Sequence, residues 1–174
     1  MKVRFDEIPA DGMPLTITDA AWFPDHDIER RGKVVAAVFL RRDGKRVFVE
    51  GSLSATVVLT CDRCLEPFAR LLAEDFQVDC ELAEADGILA TAGEHEIDAD
   101  EMDTVFLDEP AVELYDLLAQ QVFLALPERL LCAEECRGLC SGCGVDLNKG
   151  KCRCGEKESA SPFKVLAGLK NIKK

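Results

Sequence analysis

Eight of the nine cysteines in this chain stand in four close pairs: Cys61-x2-Cys64, Cys132-x3-Cys136, Cys140-x2-Cys143 and Cys152-x-Cys154, with Cys80 left over. Eight thiols make two complete sets of four, the number of tetrahedral ligands that a structural zinc ion takes, commonly as two ligands from each of two close pairs. A short spacing serves this because both sulfurs of a pair must reach one ion about 2.3 Å away, and a tight turn delivers them. Cys140-Ser141-Gly142-Cys143-Gly144 states the turn most clearly, since its glycines accept the positive φ that such a turn needs. Cys80 lies in an alternating apolar run and reads as a buried free thiol.

Two groupings of the pairs are open. The favoured one places Cys140, Cys143, Cys152 and Cys154 on one ion and Cys61, Cys64, Cys132 and Cys136 on another. Its rival gathers Cys136, Cys140, Cys143 and one of Cys152 or Cys154. A thiol redox role for Cys61 and Cys64 is a further alternative, because Arg63 between them would favour a thiolate. Redox motifs of that spacing sit where a strand meets a helix, however, and here the pair joins two strand-like runs. An iron–sulfur cluster also accepts four thiolates, and spacing does not separate it from zinc.

Those runs define the expected fold. Lys33–Leu40 is rich in β-branched residues, and Asp43-Gly44 follows it as a hairpin signal. Val47, Val49, Leu53, Ala55, Val57 and Leu59 share one parity, with Gly51 read as a bend or bulge; Phe68, Leu72, Phe76, Val78, Cys80 and Leu82 share another. The first cysteine pair therefore sits at the tip of a hairpin. Ala83–Glu109 is acidic and weakly periodic, and reads as irregular, with a short strand over Thr104–Leu107. Leu114, Leu117, Leu118, Val122, Ala125 and Leu126 form one apolar stripe, which predicts a helix over Ala111–Leu126 that starts behind Pro110 and stops at Pro127. A short helix near Phe163–Leu169 closes the chain. The fold class is α+β: an antiparallel, partly barrel-like sheet covered by one main helix (residues 1–130), followed by a cysteine-rich zinc-binding segment and a basic tail (131–174).

Charge narrows the partners. The net charge of −12 argues against indiscriminate polyanion binding, and all seventeen charged residues between Arg70 and Arg129 are acidic. Basic residues gather instead at Arg30–Arg46 and, near the end of the chain, at Lys164, Lys170, Lys173 and Lys174. Neither of the two histidines, His26 and His95, lies near a cysteine pair. No serine-centred nucleophile turn, phosphate-binding glycine loop or paired-histidine motif occurs, and an all-thiol site leaves a metal no open position, so no enzyme is expected. No apolar run is long enough to cross a bilayer and Met1–Pro14 has no signal-peptide core, so the expected location is the cytoplasm, where cysteines serve metals better than disulfides.

Thr60-Cys61-Asp62-Arg63-Cys64-Leu65-Glu66-Pro67-Phe68 resembles the Cys-x-Arg-Cys-Leu signature of the YceD-like family, the bacterial large ribosomal RNA subunit accumulation proteins. The resemblance continues through Leu114–Pro127, through Cys136–Asn148, and through Pro162–Lys170, which is similar to the family's closing Pro-x-x-x-Leu-x-x-Leu-Lys tail. It covers most of the chain from about residue 47 onward, while Val3–Lys33 and the acidic stretch Ala83–Asp108 match no signature. It implies a non-enzymatic cytoplasmic factor needed for normal accumulation of large-subunit ribosomal RNA. The implied partner is that RNA or a pre-ribosomal particle, met directly or through a basic ribosomal protein, with no membrane and no small-molecule substrate. Two structural zinc ions complete the expectation. The alternative function is a zinc-ribbon interaction module with protein partners only, as in transcription.

Overall fold

The computed structural model describes residues 1–83 and 104–154. His95, most of the acidic stretch, the closing helix expected near Phe163–Leu169 and the basic tail lie outside them. The chain divides into two compact units: Met1–Leu59 with Phe68–Glu128, and Thr60–Pro67 with Arg129–Lys174.

The first unit is built on one sheet of five strands in the order β2-β3-β4-β5-β6: Met13–Ile17, Glu29–Asp43, Arg46–Thr60, Pro67–Leu82 and Thr104–Leu107. Strands β3 and β4 pair antiparallel from Asp43↔Arg46 onward, joined by a two-residue turn in which Gly44 takes φ 59°. A positive φ there gives the turn the twist that a tight hairpin needs, so the Asp-Gly signal reports the hairpin correctly. Side chains of alternate parity then face one core. Val34, Ala36, Val38 and Leu40 of β3 are buried with Val47, Val49, Leu53, Ala55 and Val57 of β4, and Leu72, Val78 and Cys80 continue the face on β5. The connection from β4 to β5 is too short for a parallel crossover, so the two strands form the expected hairpin.

The structure corrects four expectations. The sheet is not barrel-like: β2 and β6 are its two outer strands, and it stays open among the described residues. Nor is it wholly antiparallel, because β6 runs parallel to β5, with Asp79↔Thr104 and Leu82↔Leu107 in register. Gly51 is no bulge. It pairs regularly with Val38, and a Cβ there would come 2.6 Å from the Ala37 carbonyl oxygen and 2.8 Å from the Phe76 ring, so the glycine makes room for an aromatic neighbour; the register shift lies instead between Arg31 and Val35.

The fourth correction concerns the helix, α1, which spans Leu114–Leu124 rather than Ala111–Leu126. Ala111–Glu113 is a strand, β7, which pairs with β1 (Lys2–Arg4) through Val3↔Val112. Backbone bonds extend this pairing at both ends, from Phe5 N–H to the Pro110 carbonyl at 3.0 Å and from Leu114 N–H to the Met1 carbonyl at 2.8 Å. An N-terminal segment far away in sequence thus supplies the partners that a first helical turn would otherwise leave unused. The helix buries Leu114, Leu117, Leu118 and Val122, a stripe at helical spacing, and exposes Phe123 and Leu124. No helix among the described residues is long and apolar enough to cross a membrane.

Candidate metal centres

The second unit holds all eight paired cysteines. Its first turn, Cys61–Glu66, is closed by two backbone hydrogen bonds: Leu65 N–H to the Cys61 carbonyl at 2.9 Å, and Cys61 N–H to the Glu66 carbonyl at 3.0 Å. The turn at Cys140–Val145 repeats the pattern, with Gly144 N–H on the Cys140 carbonyl at 2.8 Å and Cys140 N–H on the Val145 carbonyl at 2.9 Å. Both turns require a positive φ just after the second cysteine. Gly144 meets it at 72°, but in the first turn the position is Leu65, at 60° and with 63% of its surface exposed. A left-handed conformation costs a non-glycine residue about 1–2 kcal/mol, and glycine's extra unfolded-state freedom returns about 0.5–1 kcal/mol of that. Leu65→Gly is therefore expected to stabilise the second unit slightly, by about 0.5–1 kcal/mol. A rise of the melting temperature in excess zinc checks it, and a fall would mean that the Leu65 side chain packs more than its exposure indicates.

These turns bring the sulfurs together in two sets. Cys61, Cys64, Cys132 and Cys136 form the first cluster and Cys140, Cys143, Cys152 and Cys154 the second, all ligand atoms of a set lying within 4.8 Å of one another. The rival grouping does not form, since Cys136 stands with Cys61. In the first cluster the Cys61–Cys136 sulfurs are 3.8 Å apart and the Cys64–Cys132 sulfurs 3.7 Å. A regular tetrahedron with 2.3 Å zinc–sulfur bonds has an edge of about 3.8 Å, so the donor set fits a single ion. In the second, Cys140 and Cys152 approach to 3.2 Å, tighter than that edge. Cys80 joins neither set: it is buried on β5, and burial first, with Asp79 adding, pushes its thiol up to about 11. His26 is exposed in the first unit.

Electrostatics explain why four thiols packed this closely call for a cation. Hydrogen bonding by the Cys132 backbone, with help from the Cys64 and Arg63 backbones and against burial, lowers Cys61 to about 6. In the second cluster the Cys152 side chain, then the Gly142 and Cys143 backbones, lower Cys140 to about 6. The same proximity has the opposite effect on the last thiol of that set. Cys154 is pushed up to about 12, chiefly by its hydrogen bond with Cys143. Each set thus holds one thiol lowered to about 6 and another pushed up to about 12, Cys132 chiefly by burial and Cys154 chiefly by Cys143, a spread that a dication bound to all four would remove.

Several supporting residues escaped the sequence reading. Arg63 does not act on a thiolate through its guanidinium; its Nη1 donates to the carbonyls of Glu134 at 3.1 Å and Cys136 at 2.8 Å, closing the Cys132–Cys136 loop. Asp62 latches the same region, its N–H on the Leu130 carbonyl at 2.7 Å and its carboxylate on Leu130 N–H at 2.8 Å. Gly138, at φ 70°, lies so close to the Arg63 carbonyl that a Cβ would stand 2.8 Å from it. Asn148 donates from Nδ2 to the Cys136 sulfur at 3.3 Å. Positive φ at a glycine was legible as a possibility; a side-chain amide reaching back to a sulfur twelve positions away was not.

Residues 49–170, a span that contains all eight clustered cysteines, match the sequence profile of the family described as "Large ribosomal RNA subunit accumulation protein YceD". The chain is also similar to the protein named "Large ribosomal RNA subunit accumulation protein YCED homolog 1, chloroplastic" of Arabidopsis thaliana, at 26% identity over 180 aligned positions covering 92% of this chain and 54% of that one. The protein of the same name in Zea mays is 26% identical over 156 positions, covering 77% of this chain and 53% of its own length. The chain thus spans about half the length of the curated relatives it matches. No solved structure matches it. With well over half of its length matched by the family profile, the chain belongs to the YceD family of large ribosomal RNA subunit accumulation proteins.

Proposed function

We propose that this chain is a non-enzymatic, zinc-stabilised factor that supports accumulation of large-subunit ribosomal RNA in the cytoplasm, through contact with that RNA or with a particle or ribosomal protein that carries it. The observation that carries the proposal is the family match over residues 49–170, which takes in both cysteine clusters and the helix. A metal held by four thiolates has no open coordination position for substrate or water, which favours a structural over a catalytic role. The sulfur separations of the first cluster favour one ion per set over a polynuclear iron–sulfur cluster, whose ligands stand further apart. Zinc in each set would hold the turns Cys61–Glu66 and Cys140–Val145 in place, and its binding energy would serve as folding energy of the second unit.

The net charge of −12 favours a basic protein as the direct contact. Affinity capture of the full chain from cells, with and without ribonuclease, tests this. Large-subunit RNA in the untreated sample, together with its shortage in cells depleted of the protein, is expected. Capture free of ribosomal RNA and ribosomal proteins, with normal RNA levels on depletion, would overturn the proposal and leave the protein-only interaction module.

A further inference from the structure

The two clusters share a frame. Cys136 of the first and Cys140 of the second are separated only by Arg137-Gly138-Leu139, and each of these connector residues is tied down. Leu139 N–H donates to the Arg63 carbonyl at 3.0 Å, so the connector is fixed to the turn that carries Cys61 and Cys64. Gly138 packs on the same carbonyl, and its own carbonyl accepts from Leu147 N–H at 2.9 Å. Arg137 N–H donates to Asn148 Oδ1 at 2.8 Å. Leu147 and Asn148 belong to the loop between Cys143 and Cys152 of the second cluster, so that loop grips the connector along its length.

Asn148 closes the circuit. Its Nδ2 reaches Cys136 Sγ at 3.3 Å and Asp146 Oδ1 at 2.8 Å, while its backbone N–H also meets Asp146 Oδ1, at 2.9 Å. A residue held by the second cluster's loop therefore donates to a ligand sulfur of the first. The amide thereby fixes where the Cys136 sulfur stands among the first cluster's donors, and it does so from the second cluster's loop.

We infer that the two clusters load metal cooperatively, with Asn148 as the positioning residue that couples them; this rests on the proposal that both sets bind zinc. An ion in the first cluster fixes Arg63 and Cys136, and through the connector brings Cys140 to its place. An ion in the second fixes the 143–152 loop and holds the Asn148 amide on Cys136. Because coupling free energies are reciprocal, each ion raises the affinity for the other by the same factor, on the order of tenfold. Burial sets the order of filling. Cys61, Cys64 and Cys136 are 0%, 4% and 5% exposed, and the Asp62–Leu130 and Arg63–Glu134 bonds close the first cluster without help from the second, so it fills first.

The test is a zinc titration of the reduced, metal-free full chain, with zero-, one- and two-metal species counted by native mass spectrometry. The one-metal species is expected to stay well below its level for independent sites. Cys152→Ser, which breaks the second set, is expected to lower the first cluster's zinc affinity about tenfold against a competing chelator. Asn148→Asp keeps the shape and the acceptor for Arg137 N–H but removes the donor to sulfur. It is expected to raise the one-metal species and to shift the thiolate-to-metal charge-transfer band of the cobalt-loaded first cluster; Asn148→Ala is expected to do the same. A one-metal population at the independent level in the wild-type chain would overturn the coupling while leaving the zinc proposal intact. Asn148→Asp with wild-type populations and an unmoved band would overturn the role of Asn148. A wild-type chain that binds no metal at all would remove the zinc proposal itself.

Discussion

Cys61→Ser is expected to empty the first cluster and unfold the residues around it. Cys61 is fully buried, and its sulfur stands opposite Cys136 at 3.8 Å. A serine hydroxyl at that position does not ionise near neutral pH and is a poor zinc ligand, so three thiols would remain where four are needed. Structural zinc has an apparent binding free energy on the order of 10–16 kcal/mol in small peptides, comparable with or larger than the whole stability of a typical domain at about 5–15 kcal/mol. Described residues 60–67 and 129–154 contain little apolar core besides the cysteines themselves. Without the ion, the bonds that Arg63 and Asp62 make to Leu130, Glu134 and Cys136 are too few to hold the turn. The zinc content should fall from two per chain to one or fewer, and amide exchange in 61–66 and 130–148 should become fast. A variant that keeps two zinc ions and wild-type protection would contradict this.

Leu118→Ala is expected to destabilise the first unit severely. Leu118 is fully buried at the centre of the α1 stripe, between Leu114 and Val122, which are also fully buried. Removing three carbon atoms from such a position costs the lost burial plus the cavity left behind, about 2–5 kcal/mol. The eight clustered thiols all belong to the other unit, so the zinc content of the folded variant is expected to stay at two. Denaturant unfolding followed at β3–β4 amides reads the loss. A midpoint within error of the wild type would show that the helix does not seal the core as its burial indicates.

The hairpin β4–β5 and the cysteine sets were legible in the sequence because both are written in local spacing. Val47 to Leu59 alternate over a strand whose one face is buried, and four pairs of cysteines state their turns within a few residues each. What could not be read depends on pairing at long range. Met13–Ile17 is a short strand containing Pro14, too weak a pattern to register alone, and it exists because Leu15 and Thr16 lie beside Val38 and Ala37 of β3. The start of the helix was misplaced for the same reason: Ala111-Val112-Glu113 suits a first turn until Lys2–Arg4 offers it a strand partner. Local alternation reported Gly51 as an interruption. Its true cause, the Phe76 ring from the neighbouring strand, is visible only once the sheet is assembled. Asn148 belongs with these, since its meaning lies in a sulfur that the chain brings to it from another pair.

Metal counting on the full chain, purified without chelator and weighed under native conditions, tests the central claim most directly. The expected result is two zinc ions per chain, no iron and no inorganic sulfide, with all eight clustered thiols protected from alkylation until a chelator is added. A chain that carries no metal and whose clustered thiols alkylate freely, or one that carries iron in place of zinc, would contradict it.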